Sequence, residues 1–153
     1  MALAAVALGS NLGDRQALVR AAVSDLRRLL SGLRVSRTFE TEPVGIVGPR
    51  SPFLNAAAVG RTGLDPHALL AALLGIERAH GRERPHPGAS RTLDLDLIFV
   101  DDRRLDSPDL VLPHPRFRER RFVLEPLAEV APDWRDPVTG LTVRELLARL
   151  PAR

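Results

Sequence analysis

The sequence of 153 residues contains no cysteine, no lysine and no tyrosine. The absence of cysteine excludes disulfides, thiolate metal ligands and a thiol nucleophile. The absence of lysine excludes a Schiff base and the lysine of a phosphate-binding loop, and the absence of tyrosine excludes a tyrosine acid. All 22 basic residues are arginine, so any phosphate chemistry depends on arginine, histidine and metal ions.

Aromatic residues and long apolar segments are also scarce. Aromatic residues make up 4% of the chain and the formal net charge is only +3, whereas nucleic-acid binders usually carry stacking aromatics and a larger positive excess. No apolar stretch approaches the roughly 20 residues that span a bilayer. The N-terminal segment lacks the basic leader of a secretory signal. We therefore expect a cytoplasmic protein that binds neither membranes nor nucleic acid, with an arginine-dependent nucleic-acid module as the alternative.

Hydrophobic periodicity predicts one α+β domain over residues 1–153. Strands are predicted at residues 3–8, 33–41 and 53–62 and within 90–100, and helices at 12–33 and 65–81. The capping box of Thr142 and Glu145 predicts a last helix that begins there. This order predicts a ferredoxin-like sandwich, in which two long helices cover one face of a mainly antiparallel sheet and a C-terminal extension packs on that core.

Asp94 and Asp96 form the first candidate site. Alternate residues of a strand share a face, which places the two α-carbons about 7 Å apart and makes the carboxylates repel by roughly 2 kcal/mol. A hard cation such as Mg²⁺ would offset this repulsion and would still bind phosphate oxygens. A solvated acidic face on an edge strand is the commoner explanation of such a pair.

Arginine-rich segments on both sides of the acidic pair favour a metal-bound polyphosphate, because guanidinium groups bind phosphate oxygens in pairs. The segment before the pair contributes Arg82, Arg84 and Arg91. The segment after it contributes Arg116, Arg118, Arg120 and Arg121.

Other residues suggest a second, neutral ligand. Asn55 lies in an apolar strand, where its amide either contacts a ligand or caps a neighbouring backbone group. Phe53 shares that face, and Phe122 lies in the basic segment. Both would fit the two sides of a flat heterocycle, although packing in the core is the commoner role of phenylalanine. Thr41 precedes a loop whose backbone groups could add polar contacts.

Six segments together resemble the 6-hydroxymethyl-7,8-dihydropterin pyrophosphokinase family of folate biosynthesis. They are ALGSNLGD, TEPVG, FLNAA, IERAHGR, SRTLDLDLIF and LPHPRFRERRFVLEPLAEVAP, and they cover nearly the whole chain in this order. The resemblance implies transfer of the terminal diphosphate of ATP to the hydroxymethyl group of the pterin, with release of AMP and with two Mg²⁺ ions. The implied partners are these two small molecules, and we expect a monomer.

The resemblance also implies roles for individual residues. Asp94 and Asp96 would hold both metal ions, and the catalytic arginines Arg82 and Arg91 would neutralise charge on the moving diphosphate. The expected pterin contacts are Thr41, Pro43, Val44, Phe53, Asn55 and Phe122. The expected ATP contacts are Glu77, Arg84, Arg91, His114 and Arg120. Without the family, Glu77 would be a helix-surface acid and His114 a structural residue.

The sequence departs from the family pattern at three positions. Gly88 lies where many members carry a loop tryptophan, Pro115 where some carry an aromatic residue, and Asp109 where some carry a basic one. The loops at residues 43–52 and 82–91 are expected to close over bound ATP. Another metal-dependent phosphoryl or nucleotidyl transferase on the same fold is the first alternative function.

Overall fold

The computed structural model describes residues 1–11, 14–41, 53–80 and 93–151 of the chain. Five of the predicted site residues lie outside these ranges: Pro43, Val44, Arg82, Arg84 and Arg91. Gly88 and the two loops that were expected to close over ATP lie outside them as well.

One antiparallel sheet organises the fold. Its strands are β1 (Ala2–Ser10), β2 (Ser31–Val35), β3 (Phe39–Thr41), β4 (Phe53–Thr62) and β5 (Asp94–Val100). The strand order is β2-β4-β1-β5, and β3 also pairs with β4. The expectation of an α+β fold with a mainly antiparallel sheet is confirmed.

The prediction of a single strand over residues 33–41 is wrong, because Ser36 interrupts it. The Ser36 backbone N–H donates to the carbonyl of Ala57 at 2.8 Å, and the Ser36 hydroxyl accepts the Ala57 N–H at 2.9 Å. A side-chain hydroxyl thus takes the place of a backbone acceptor at this point, as serine often does. The chain consequently forms two short strands, β2 and β3, on the same side of β4.

Two helices, α1 (Arg15–Leu29) and α2 (Pro66–Ala79), pack on one face of the sheet. Asp14 and Asp65 cap their N-termini by accepting backbone N–H groups of the first turns. The predicted end of the first helix near Gly32 is wrong, since Gly32 lies in β2 with a φ of 62°. That left-handed conformation suits glycine and helps the chain turn into the strand.

The residues after Asp101 form the elements that cover the opposite face of the sheet. The hairpin of β6 (Leu105–Asp106) and β7 (Val111–Leu112) is followed by a 3₁₀ turn (Phe117–Glu119) and by two helices, α3 (Arg121–Val130) and α4 (Val143–Ala148). The two helices bury apolar residues against Ala5, Ala7 and Phe99 of the sheet. Helices therefore cover both faces, not one.

Helix α3 was not predicted as a helix. The segment contains Pro126, and proline in the interior of a helix costs about 3 kcal/mol. Val123, Leu124, Leu127 and Val130 nevertheless recur at helical spacing, and all four are buried against the sheet. Tertiary burial outweighs the local preference.

Two further sequence expectations concern the last helix and membranes. The capping box is confirmed: Thr142 Oγ1 accepts the Glu145 N–H at 3.2 Å, and Glu145 Oε1 accepts the Thr142 N–H at 3.0 Å. In the parts of the chain that the structure describes, no helix combines the length and the apolar character required to cross a membrane.

Candidate active site

A cleft of about 620 Å³ opens on the sheet face that α3 and α4 cover, beyond the N-terminus of α3. Seven of the predicted site residues line it together: Thr41, Phe53, Asn55, Asp94, Asp96, Arg120 and Phe122. The remaining lining residues are Ala7, Leu8, Gly9, Arg116 and Glu119, of which only Arg116 was noted beside the acidic pair in the sequence.

Cross-strand pairing explains why distant residues meet on the cleft floor. Gly9 of β1 pairs with Asn55 on one side and with Asp94 on the other. Paired residues of antiparallel strands project from the same face, so the amide and the carboxylate flank the glycine. In the adjacent row, Ala7 pairs with Asp96. Because Ala7 and Gly9 have almost no side chain, open space remains between the polar groups.

The acidic pair is placed as the period-two pattern predicted. Asp94 and Asp96 are half-buried, whereas Leu95 between them is buried in the core on the other face. The structure therefore does not present the pair on an open, fully solvated strand face. It places both carboxylates on the floor of the cleft, whose lining also includes Arg116 and Arg120.

Asn55 is buried, with 5% of its surface exposed, and its Nδ2 donates a hydrogen bond to Thr41 Oγ1 at 2.8 Å. This partner is a side chain on β3 that also lines the cleft. The two residues predicted to contact the same ligand are thus joined directly.

The residues from the 3₁₀ turn and the start of α3 form the opposite wall of the cleft. Phe122 is 41% exposed, and the Arg120 guanidinium lies 5.5 Å from its ring centroid, which is the distance of a cation–π contact. Arg116 Nε donates to Glu119 Oε1 at 3.1 Å. Arg116 belongs to the basic segment noted in the sequence, whereas nothing in the sequence distinguishes Glu119 from a surface acid.

A buried ion pair holds this wall in place. Asp136 is fully buried and accepts two hydrogen bonds from Arg118, at 2.6 and 2.9 Å, and one from Thr139 Oγ1 at 2.7 Å. Burial alone would raise the pKa of Asp136, but the hydrogen bonds from Arg118, Thr139 and the Val138 N–H outweigh burial and lower the pKa to about 2. Arg118 lies in the 3₁₀ turn, so the pair ties that turn to the chain after α3.

A second cavity, of about 270 Å³, shares one wall with the cleft. Asp96 lines both cavities, and His114, Pro115 and Asp109 line the second together with leucines of α2 and β5. The Asp96 carboxylate thus lies between the two cavities.

The state of His114 follows from its contacts. Its Nδ1 accepts the Arg116 backbone N–H at 3.2 Å. Burial lowers the pKa of His114, and the charges of Arg120 and Arg116 lower it further, against the opposite effect of Asp96. A neutral ring whose Nδ1 is an acceptor carries its proton on Nε2, so that atom is the donor.

Glu77, the remaining predicted ATP contact in the described ranges, lines neither of these cavities. It is only 3% exposed, and its Oε2 accepts the Leu95 N–H at 2.7 Å. The alternative of an ordinary helix-surface acid is therefore wrong. A contact between Glu77 and ATP stays a prediction.

Comparison with known proteins agrees with an enzyme that acts on a pterin and a nucleotide. A model of the 7,8-dihydro-6-hydroxymethylpterin-pyrophosphokinase family matches residues 5–132. The chain is 43% identical to the 2-amino-4-hydroxy-6-hydroxymethyldihydropteridine pyrophosphokinase of Methylorubrum extorquens, over 98% of this chain and 94% of that protein. It is 41% identical to the protein of the same name from Synechocystis, over 96% and 75% of the two chains. The chain belongs to this family, and the resemblance found in the sequence is confirmed.

Solved structures show the same fold. The wild-type HPPK-DHPS of Plasmodium falciparum superposes on 97% of this chain with a TM-score of 0.74 and 16% identity. An HPPK-DHPS in complex with substrates superposes on 96% with a TM-score of 0.73 and 14% identity. This chain covers 44% and 43% of those longer chains. At such identities the similarity supports the fold alone.

Proposed function

We propose that this protein transfers the terminal diphosphate of ATP to the hydroxymethyl group of 6-hydroxymethyl-7,8-dihydropterin, with release of AMP, in folate biosynthesis. Membership of the family supports the reaction. The structural observation that carries the proposal is the shared cleft, in which Gly9 separates Asp94 from the amide of Asn55 and Asp96 lies in the next row, opposite Ala7.

Asp94 and Asp96 are the proposed Mg²⁺ ligands, and two ions are expected. The donor set fits, because carboxylate oxygens are hard ligands and a pair of them leaves most positions of Mg²⁺ to water and phosphate oxygens. Within the described ranges, no cluster of three or more His, Cys, Asp or Glu side chains forms a complete cage. Bound Mg²⁺ would supply neutralisation of phosphate charge and polarisation of the phosphoryl group.

The cleft residues on the Asn55 side are proposed to bind the pterin. An amide offers both donors and an acceptor to the edge of a heterocycle, and the hydrogen bond that Asn55 Nδ2 donates to Thr41 Oγ1 fixes how the Asn55 amide is turned. Phe53 and the partly exposed Phe122 are the proposed stacking partners. Pro43 and Val44 remain proposed contacts from outside the described residues.

The second cavity is proposed to bind the nucleotide end of ATP. Its leucine-lined wall suits a base, and Asp96 separates it from the cleft. His114 Nε2 would donate to a phosphate oxygen, and Arg120 would bind phosphate at the cleft wall. Arg84 is retained as a proposed ATP contact, and Arg82 and Arg91 as the catalytic arginines that neutralise the moving diphosphate.

The proposed chemistry is an in-line displacement. The pterin hydroxyl oxygen attacks the β-phosphorus, and the bond between that phosphorus and the α–β bridging oxygen breaks. AMP leaves with the bridging oxygen, and the hydroxyl proton passes to water. The chain's own residues orient the two substrates and balance the phosphate charge, without a covalent intermediate.

We also propose that the fold is a ferredoxin-like sandwich with a C-terminal extension. The strand order β2-β4-β1-β5, with α1 and α2 on one face, supports a ferredoxin-like sandwich over residues 1–153. The packing of α3 and α4 on the other face supports a C-terminal extension of that sandwich. We further expect a monomer in the cytoplasm, which size-exclusion chromatography and cell fractionation would test.

Product analysis tests the proposed reaction. The protein is incubated with ATP, Mg²⁺ and the pterin, and the nucleotide products are separated. We expect AMP and the pterin diphosphate, and no turnover with excess EDTA. Formation of ADP would identify a phosphoryl transferase instead, and salt-dependent oligonucleotide binding without ATP turnover would identify a nucleic-acid module.

A further inference from the structure

Among the strands of the described residues, β5, which carries Asp94 and Asp96, is the last one on its side of the sheet. Its pairing with β1 leaves one edge outside the strand ladder, and the N–H and C=O groups on the outer edge of such a strand have no partners in a neighbouring strand. Two contacts in the described residues bind this outer edge. The Ile98 carbonyl accepts the His114 N–H at 2.8 Å, and the Leu95 N–H is bound by Glu77.

The contact with Glu77 falls at the end of the strand where the acidic pair lies. Glu77 Oε2 accepts the Leu95 N–H at 2.7 Å, and Leu95 is the residue between Asp94 and Asp96. Both residues are nearly inaccessible, at 3% and 4% exposure, so water cannot easily replace the carboxylate. A buried N–H that loses its acceptor costs about 1–3 kcal/mol.

Glu77 lies on helix α2, which is fixed in position by its packing in the core. Leu69 and Leu73 of α2 are fully buried in the same hydrophobic cluster as Leu95 and Leu97 of β5. The carboxylate therefore connects a packed helix to the backbone of the acidic segment, on the side of the strand away from β1.

We propose that Glu77 is a positioning residue whose carboxylate, by accepting the Leu95 amide, fixes the part of β5 that carries Asp94 and Asp96. This inference rests on the proposed function, in which these aspartates hold Mg²⁺ with the polyphosphate. Displacement of catalytic groups by about 1 Å can cost roughly 10²-fold in rate. In this role Glu77 acts on the reaction through the strand that carries the acidic pair.

Two variants separate the hydrogen bond from the charge. Glu77→Gln keeps an acceptor oxygen at the same reach, whereas Glu77→Met fills the space but offers no comparable acceptor. We expect Glu77→Met to lower kcat by about 10-fold or more and to raise the Mg²⁺ concentration for half-maximal activity. Glu77→Gln should stay within about threefold of the unchanged protein in both quantities, and the KM for the pterin should hardly change in either variant.

A second measurement needs neither metal nor turnover. Hydrogen exchange of the Leu95 amide, followed by NMR in the metal-free protein, should be slow in the unchanged protein and in Glu77→Gln, and fast in Glu77→Met. If wild-type protein forms no AMP, the proposed function fails, but this comparison still decides whether Glu77 holds the strand. Equal Leu95 protection in all three proteins overturns the inference.

Ser36→Ala is the matched control, because Ser36 also offers a side-chain acceptor to a strand N–H, that of Ala57 on β4. It should reduce the free energy of unfolding without changing the Mg²⁺ requirement. The inference is overturned if Ser36→Ala and Glu77→Met change that requirement equally. It is also overturned if Glu77→Gln weakens binding of an ATP analogue as strongly as Glu77→Met, which would identify a nucleotide contact.

Discussion

The side chains of Asn55 and Thr41 are joined across neighbouring strands by a hydrogen bond of 2.8 Å, from Nδ2 to Oγ1. The bond fixes which end of the amide faces the threonine. A carbon atom added at Gly9 would lie 3.5 Å from Asn55 Oδ1, so the carbonyl end of the amide is directed toward the centre of the cleft floor. Thr41 therefore determines what a ligand in the cleft meets.

Thr41→Val tests this orientation. Valine has nearly the same shape but no hydroxyl, so the amide loses the contact that fixes its rotation. Since a hydrogen bond contributes about 0.5–1.5 kcal/mol, we expect the KM for the pterin to rise about 3- to 10-fold, with little change in the KM for ATP. Thr62→Val is the control, because Thr62 is at the other end of β4 and accepts the Leu64 N–H. Equal effects of the two variants on the pterin KM would contradict the prediction.

Asp96→Asn should separate activity from stability. The change keeps the shape of the side chain but removes a charge, so diphosphate transfer should fall below detection. Removing one of two neighbouring like charges relieves a repulsion of roughly 2 kcal/mol or less, so the metal-free protein should be as stable as before or more so. AMP formation and thermal unfolding measure the two quantities. The exposed Asp102, just after β5, provides Asp102→Asn as the control. Near-normal turnover of Asp96→Asn would refute its role as a metal ligand.

The acid stability of the protein should depend on Asp136. Its pKa is lowered in the fold from 3.8 to about 2, so its stabilising effect is complete above pH 4 and is lost as the pH falls toward 2. The shift corresponds to about 2 kcal/mol. Asp136→Asn should therefore be less stable than the unchanged protein at pH 7, and this difference should shrink by pH 2.

Denaturant titrations at several pH values measure this difference, with fluorescence of the single tryptophan, Trp134, as the signal. Its ring stacks on Phe99, with centroids 3.9 Å apart, so unfolding changes its surroundings. Asp133→Asn is the control, because Asp133 forms an exposed ion pair with Arg144. Such pairs contribute little. A stability difference for Asp136→Asn that does not vary with pH would contradict the assignment.

The features that the sequence predicted correctly are those that depend on near neighbours. Asp94 and Asp96 share a face because strand side chains alternate, and Thr142 and Glu145 cap a helix because they are three residues apart. That Asn55 lies in the same cleft as Asp94 and Asp96 could be proposed only through the family resemblance. The physical cause is the register of three strands, with Gly9 as the central partner.

Other features could not be predicted from the sequence, because they depend on contacts between residues that are far apart along the chain. Arg118 and Asp136 are 18 residues apart with helix α3 between them, and no spacing rule connects them. The sequence alone suggests that Glu77 is a surface acid of its helix. Only the packing of α2 against β5 shows that it is buried. Helix α3 contains Pro126, and the burial of its apolar residues against the sheet stabilises it nonetheless. In each case, tertiary contacts decided the outcome.

Gly9 provides a test of the open cleft floor. A Cβ built there would meet Asn55 Oδ1 at 3.5 Å, an ordinary contact, so Gly9→Ala should fold normally. The two further methyl groups of Gly9→Val would extend into the space between Asn55 and Asp94. We expect a rise of at least about 10-fold in the pterin KM for Gly9→Val, because filling a binding site with methyl groups costs about 1–3 kcal/mol.

Gly60 supplies the contrasting variant on the neighbouring strand. A Cβ at Gly60 would lie 2.8 Å from Leu30 Cβ and 3.1 Å from the Ser31 carbonyl oxygen, so Gly60→Ala forces the packed core apart. Overpacking of this kind typically costs about 1–3 kcal/mol. Gly60→Ala should therefore lower the unfolding temperature and leave the pterin KM of the folded fraction unchanged. Gly9→Val should instead raise the pterin KM and leave the unfolding temperature nearly unchanged. A Gly9→Val protein that binds the pterin normally would show that the ligand does not occupy the floor between Asn55 and Asp94.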